Sequence, residues 1–288
     1  MSEPEIRQAR LGDDLTLHYQ EQGSGVPVVF IHGLTGDLGS WGAQMPVFAQ
    51  RFRAIAYSRR FSRPNANDLE RSPEHSVHVE ADDLARLLEH LDAAPAILVG
   101  SSYGAATALA LALERPEMVR ALVLSEPPVF AWADRVPGGR ALREQMERDI
   151  TLPARAALRA GDDQTIVQLY AQSALGVGGI DKLPPATLER RLANLAPIKA
   201  LVRSGRESVD LDAGRAAALR VPVLLLSGVN TRPLFTAVFD AARQLLPDVR
   251  AHKVEGAGHS VYREQSEAFN AHCLQFIDAV LGTAAIRG

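Results

Sequence analysis

Apolar and polar positions follow two rhythms along this 288-residue chain. At 15–20, LTLHYQ changes side with every residue, the period of a strand with one wet face. At 27–31 the run PVVFI is apolar throughout, which suits a strand covered on both faces. Comparable runs follow at 52–58 (FRAIAYS), 96–100 (AILVG), 119–125 (VRALVLS), 221–227 (VPVLLLS) and 249–256 (VRAHKVEG). Between them the period lengthens to that of a helix. Leu84, Leu87, Leu88 and Leu91 share one face, and YGAATALALALE stops at Pro116. Further helices are predicted over 233–245 and 262–281. Strands alternating with helices predict an α/β protein with a doubly wound, mostly parallel sheet.

The alternation breaks after residue 127 and resumes near 216. In between, Leu142, Met146 and Ile150 share a helical face, as do Ile166, Leu169 and Tyr170, and then Leu188, Leu192 and Leu195. Gly and Pro punctuate these pieces at GVGG, LPP and Pro197. The expected division is therefore a core of 1–127 and 216–288, with an inserted helical cap over 128–215. Such a block covers a site built at the strand ends.

Composition narrows the function classes. A net charge of −3 gives no global reason to bind nucleic acid. No apolar run approaches the ~20 residues of a membrane helix, and the polar start MSEPEIRQARLGDD holds no signal-peptide core, so a cytoplasmic protein that does not engage the membrane is expected. The single cysteine, Cys273, excludes an internal disulfide and lies on an apolar stripe with Phe269, Phe276, Ile277 and Val280. Neither a metal-ligand cluster nor a dinucleotide fingerprint is present, so no metal and no cofactor is expected. Oligomeric state leaves no mark in the sequence.

Two stretches carry chemistry. Gly100-Ser101-Ser102-Tyr103-Gly104 fits G-x-S-x-G between a predicted strand and a predicted helix, the context in which a tight turn thrusts a serine above a sheet. Ser102 is the candidate nucleophile, and Ser101 a structural neighbour. A serine hydroxyl needs a base. His259, in GAGHS between the last strand and the last helix, is the best placed of eight histidines. His252 and His272 fall inside elements, and His75, His78 and His90 surround the 78–91 helix as surface or packing residues. His32 closes a strand in VVFIHGLTG and is read as a brace for the loop that follows, with the amides of Leu34 and Tyr103 as oxyanion donors. Phe130, Trp132 and Tyr170 are candidate pocket liners, with core packing as the alternative.

HGLTG, GSSYG and GAGHS, in this order and spacing, resemble the α/β-hydrolase fold superfamily over residues 15–281. The resemblance implies a triad acid, commonly an aspartate in a G-x-x-D frame after the strand at 221–227. Here that frame reads Gly228-Val229-Asn230-Thr231 and holds no carboxylate. Glu126, directly after the strand that follows the nucleophile helix, occupies the position from which zearalenone-type lactonases and some dehalogenases take their acid. The chain order Ser102, Glu126, His259 fits the fold. A second departure is YSRRFSRPN, where relatives often show D-x-R-G-x-G-x-S: Ser58 replaces the aspartate, Phe61 and Arg63 replace glycines, and Arg60 keeps the arginine. The resemblance implies a serine hydrolase acting on a small-molecule ester or lactone, with the apolar cap suggesting a bulky apolar one. The alternative is a non-hydrolytic member: a binder or receptor, a lyase or a cofactor-independent oxygenase.

Overall fold

The computed structural model describes residues 5–71, 75–176 and 184–287. Eight strands form one sheet: β1 (Arg7–Arg10), β2 (Thr16–Gln22), β3 (Pro27–Ile31), β4 (Arg53–Tyr57), β5 (Ala96–Ser101), β6 (Val119–Ser125), β7 (Val223–Gly228) and β8 (Val249–Val254), in the order β1-β2-β4-β3-β5-β6-β7-β8. β2 pairs antiparallel with both β1 and β4, and every pairing from β4 through β8 is parallel. The expected α/β class and parallel sheet are therefore present. β1 escapes the sequence reading because it is a four-residue edge strand with only Ala9 buried, too short to show a period.

The sheet carries α1 (Met45–Phe48), α2 (Val77–His90) and α3 (Tyr103–Glu114) in its first half. Between β6 and β7 come a 3₁₀ turn (Phe130–Arg135), α4 (Gly139–Met146), α5 (Leu152–Ala160), α6 (Asp163–Leu175), α7 (Pro185–Ala193), α8 (Ala196–Ser204) and α9 (Ala213–Ala217). α10 (Pro233–Leu245), α11 (Val261–Glu264) and α12 (Ser266–Arg287) complete the chain. Strand side chains alternate between two cores, as the two-residue strand period requires. Val29, Ile31, Leu98, Leu122 and Leu225 face α2 and α3, whereas Val28, Phe30, Val99, Val123 and Leu226 face α1 and α12. On α12, Phe269, Cys273, Phe276 and Ile277 fill the second core, where burial pushes the thiol up and keeps it protonated.

The helical block has its own core, in which Ala154, Ile166, Leu195, Ile198 and Val202 pack together. Leu142 and Met146 instead pack on Leu234 and Val238 of α10, which ties the block to the sheet layer. Leu192 departs from the expected stripe and is exposed. The glycines at 178–179 and Leu183 lie outside the described residues. Among the described residues, no helix is long and apolar enough to cross a membrane.

Candidate active site

Parallel strands deliver their C-terminal ends to one edge, and three of these ends build the site. β5 ends in register with β6, Ser101 opposite Ser125, and β6 with β7, Ser125 opposite Leu226. The next residue of β5 is Ser102 and the next of β6 is Glu126. Both have positive φ, 53° and 55°. A non-glycine side chain pays about 1–3 kcal/mol for this region, and such strain gathers where function constrains the backbone. The surroundings hold both residues: the Ser102 amide donates to the Ser125 carbonyl (2.8 Å) and the Glu126 amide to the Leu226 carbonyl (3.0 Å).

Ser102 occupies the N-cap of α3, where a serine ordinarily turns its hydroxyl onto the first-turn amides. Here it makes no side-chain cap bond, because φ 53°, ψ −123° aims the side chain away from the helix. The hydroxyl is left uncommitted, and it faces a cavity of about 180 Å³. The flanking glycines are sterically required. A Cβ on Gly104 would stand 2.1 Å from the Ile31 carbonyl oxygen, and one on Gly100 2.5 Å from the Cα of Ala105. The turn therefore presses α3 onto the end of β3 closer than any side chain permits.

His259 arrives on the loop after β8. Three contacts position that loop. The Asn230 amide donates to the Ala257 carbonyl (2.9 Å), and the Glu264 carboxylate accepts from the amides of Gly258 (2.7 Å) and Ser260 (3.0 Å). The third is the Phe235 ring, 4.3 Å from the imidazole between centroids. His259 is buried, and its Nδ1–H donates to Glu126 Oε2 at 3.1 Å. That acceptor selects the tautomer with Nε2 unprotonated and lone-pair bearing. Ser102 and His259 line the same cavity.

Glu126 is buried and accepts four hydrogen bonds. Oε1 takes Ser227 Oγ–H (2.5 Å) and the Gly228 amide (3.0 Å); Oε2 takes Thr231 Oγ1–H (2.6 Å) and His259. The frame Gly228–Thr231 thus contributes two of the four donors that hold the carboxylate. Four donors offset the loss of water around a buried carboxylate.

His32 is fully buried and neutral. Burial, then the Arg59 charge, pushes it down to about 3. Its Nε2 accepts the Arg59 amide (3.0 Å), so Nδ1 carries the proton and donates to the Gly33 carbonyl (2.8 Å). Arg59 completes the brace: its guanidinium donates to the carbonyls of His32, Gly33 and Leu34, pairs with buried Glu80 (2.6 Å) and lies 4.9 Å above the Tyr103 ring. The departing YSRRFSRPN segment therefore underpins the Gly33–Gly36 loop. Leu34 and Tyr103 both line the cavity, and Tyr103 begins α3, so its amide has no carbonyl partner within the helix.

Phe130 and Tyr170 line the cavity. Trp132 does not, and this corrects the sequence expectation. It is buried in the core with Leu201 and Val209, and its indole N–H donates to the Leu211 carbonyl (3.0 Å). Two residues of 3₁₀ helix, two-thirds of a turn, separate it from Phe130, so the two rings leave the helix on different sides. His75 is fully buried against Phe61 and Glu80, whereas His78 is exposed and meets Glu114. Sequence reasoning missed Arg59, Glu264 and Phe235, whose partners are remote in sequence or carry no motif. The wall also differs from what a wholly apolar substrate asks: five arginines reach it, Arg143, Arg155, Arg190, Arg191 and Arg263.

The sequence profile of the alpha/beta hydrolase fold family matches residues 26–265. The chain is 26% identical over 278 residues to the 2-(acetamidomethylene)succinate hydrolase of Mesorhizobium japonicum, covering 92% of both chains. Among solved structures it is similar in fold to the enol-lactonase from Burkholderia xenovorans LB400 (TM-score 0.72, 19% identity, 94% of this chain and 99% of that one). It is also similar to a thermophilic esterase from Thermogutta terrifontis (TM-score 0.74, 20% identity, 96% and 99%).

Proposed function

The chain belongs to the α/β-hydrolase fold family, and from that premise we propose that it is a serine hydrolase cleaving a carboxylic ester or lactone through an acyl-enzyme. The observation that carries this reading is the buried Glu126–His259 hydrogen bond at 3.1 Å beside an uncommitted Ser102 hydroxyl on one cavity. Ser102 Oγ attacks the carbonyl carbon while its proton passes to His259 Nε2. The oxyanion is received by the amides of Leu34 and Tyr103, donors preorganised by the His32–Arg59 brace and by the start of α3. Glu126 stabilises the imidazolium, which returns the proton to the departing alkoxide. Water then attacks the acyl carbon, giving a proton to His259, and Ser102 leaves with that proton restored.

Leu34, Phe130, Met146 and Phe235 supply an apolar wall for the body of the substrate. The helical block acts as the cap that selects it. The binder or receptor alternative drew its support from the vacant G-x-x-D frame, and the Glu126 carboxylate hydrogen-bonded to His259 weakens that support. The test is labelling with an organophosphonate and mapping of the adduct. One addition at Ser102 is expected, and Ser102→Ala should abolish labelling and ester turnover together. An adduct at Ser101, or turnover that survives in the alanine variant, refutes the assignment.

A further inference from the structure

The five arginines of the cavity wall fall into two sets. Arg143 forks onto Asp134 (2.8 and 2.8 Å) and Arg155 onto Glu207 (2.8 and 3.0 Å), so their charges are met. Arg190 and Arg191 on α7, and Arg263 on α11, have no carboxylate within ion-pair distance among the described residues. Among the described residues the Arg263 guanidinium donates only to the Tyr262 hydroxyl (3.0 Å), and it lies against that ring. Arg191 is the more costly placement, because its Nε is buried with no hydrogen-bond partner. Burial, then the like charges of Arg263 and Arg190, pushes its guanidinium down to about 10. Two carboxylates reach the same wall, Glu147 and Glu207, and both lie against Arg155 instead. A half-buried cation with its Nε sealed from water and facing others of its sign is unfavourable unless something else brings the counter-charge.

We propose that Arg190, Arg191 and Arg263 form a subsite for an anionic group of the substrate, so that the scissile ester or lactone belongs to a molecule bearing a free carboxylate. This rests on the hydrolase reading above and deepens it. The Arg191 guanidinium lines the cavity, and its coplanar N–H groups form the fork that a planar carboxylate meets with both oxygens. Arg263, on α11, follows His259 by four residues and lines the same cavity, so the subsite adjoins the reacting centre. The apolar wall takes the middle of such a molecule, between the acyl carbon at Ser102 and the carboxylate at the arginines. Chemistry at Ser102 is unchanged: water is consumed, the acyl C–O bond breaks, and an acid and an alcohol result.

The test compares two chromogenic esters, p-nitrophenyl hydrogen glutarate and neutral p-nitrophenyl butyrate, as a ratio of kcat/KM within each variant. A folding or chemical defect lowers both and leaves the ratio alone. The wild type should favour the acidic ester by about ten- to a hundredfold, the range for a hydrogen bond to a charged group. Arg191→Gln should cut the ratio at least tenfold, mainly through KM, since the contact is made in the ground state as well. The exposed Arg263→Gln should lower it in the same direction, and added salt should compress it. A ratio near one in the wild type, or one insensitive to both variants, overturns the subsite. Should neither ester turn over, the hydrolase reading fails separately, and calorimetry with glutarate decides the subsite. Binding weakened in Arg263→Gln sustains it, and no binding to the wild type overturns it.

Discussion

Replacing Glu126 by glutamine probes the part of the site that departs furthest from the family pattern, and the surrounding hydrogen bonds dictate what the amide must do. Glutamine keeps the shape but converts one oxygen into an N–H₂ donor. The Gly228 amide can only donate, so the amide oxygen of the variant must take the place of Oε1, toward Gly228 and Ser227. The N–H₂ then faces Thr231 and His259. The Thr231 hydroxyl can rotate to accept, but His259 Nδ1 can accept only by giving up its proton. The imidazole is thereby driven to the tautomer with hydrogen on Nε2, which cannot take a proton from Ser102. Loss of the charge that stabilises the imidazolium adds to this. The analogous change in a serine protease costs about 10⁴-fold in kcat, with residual activity from the oxyanion hole and binding. A fall of roughly 10²–10⁴ is expected here, equivalent to ~3–5 kcal/mol of transition-state stabilisation. The assay is steady-state hydrolysis of a p-nitrophenyl ester, with circular dichroism to establish native folding. Thr231→Ala is the paired control: it removes one of four donors while leaving the carboxylate charged, so turnover should stay within about tenfold, with stability lower by ~1–2 kcal/mol. Near-normal turnover in folded Glu126→Gln, or a larger loss in Thr231→Ala, would refute the assignment of Glu126 as the acid.

Two further outcomes follow from the packing. His32 is neutral in the fold, pushed down to about 3, while an unfolded imidazole titrates near ~6.5, so between these values the unfolded chain binds the extra proton and stability falls as pH drops. The loss approaches ~4 kcal/mol across the window; urea midpoints from pH 7 to 4.5 should fall in the wild type and less steeply in His32→Gln, and parallel slopes would contradict this. Gly104→Ala would push a Cβ into the Ile31 and His32 carbonyl oxygens, so chemical denaturation should show a loss of about 1–3 kcal/mol or more, and an unchanged midpoint would be inconsistent with the tight turn at Ser102.

Seven of the eight strands were legible because each is written in contiguous residues. PVVFI, AILVG and VPVLLLS read as buried strands without knowledge of their neighbours, and the observed β3, β5 and β7 fall within a residue or two of them. The turn around Ser102 was equally local: two glycines and a serine between a strand and a helix specify a conformation within five residues. His259 could be singled out because it lies between the last strand and the last helix. Glu126 came from the family resemblance, as a carboxylate at a strand end from which some relatives take their acid, and its positive φ had no counterpart in the letters.

What folding alone decides is partnership across the chain. Glu126 meets Ser227, Gly228, Thr231 and His259 at separations of 101 to 133 residues, and no periodicity encodes such a meeting. The same holds for Arg59 beneath Gly33 and Leu34, which is one arginine among several in a basic segment until β3 and β4 pair and bring His32 beside it. Trp132 and Phe130 are two letters apart, yet one enters the core and the other the cavity, because a single 3₁₀ turn meets two different surfaces. Arg190, Arg191 and Arg263 come from helices distant in sequence, and their charges concentrate only once α7 and α11 border one cavity. Local periodicity selects the elements, since it needs only the chain's own geometry. The chemistry of the site is a property of juxtaposition, which burial of two apolar cores on opposite faces of one sheet imposes.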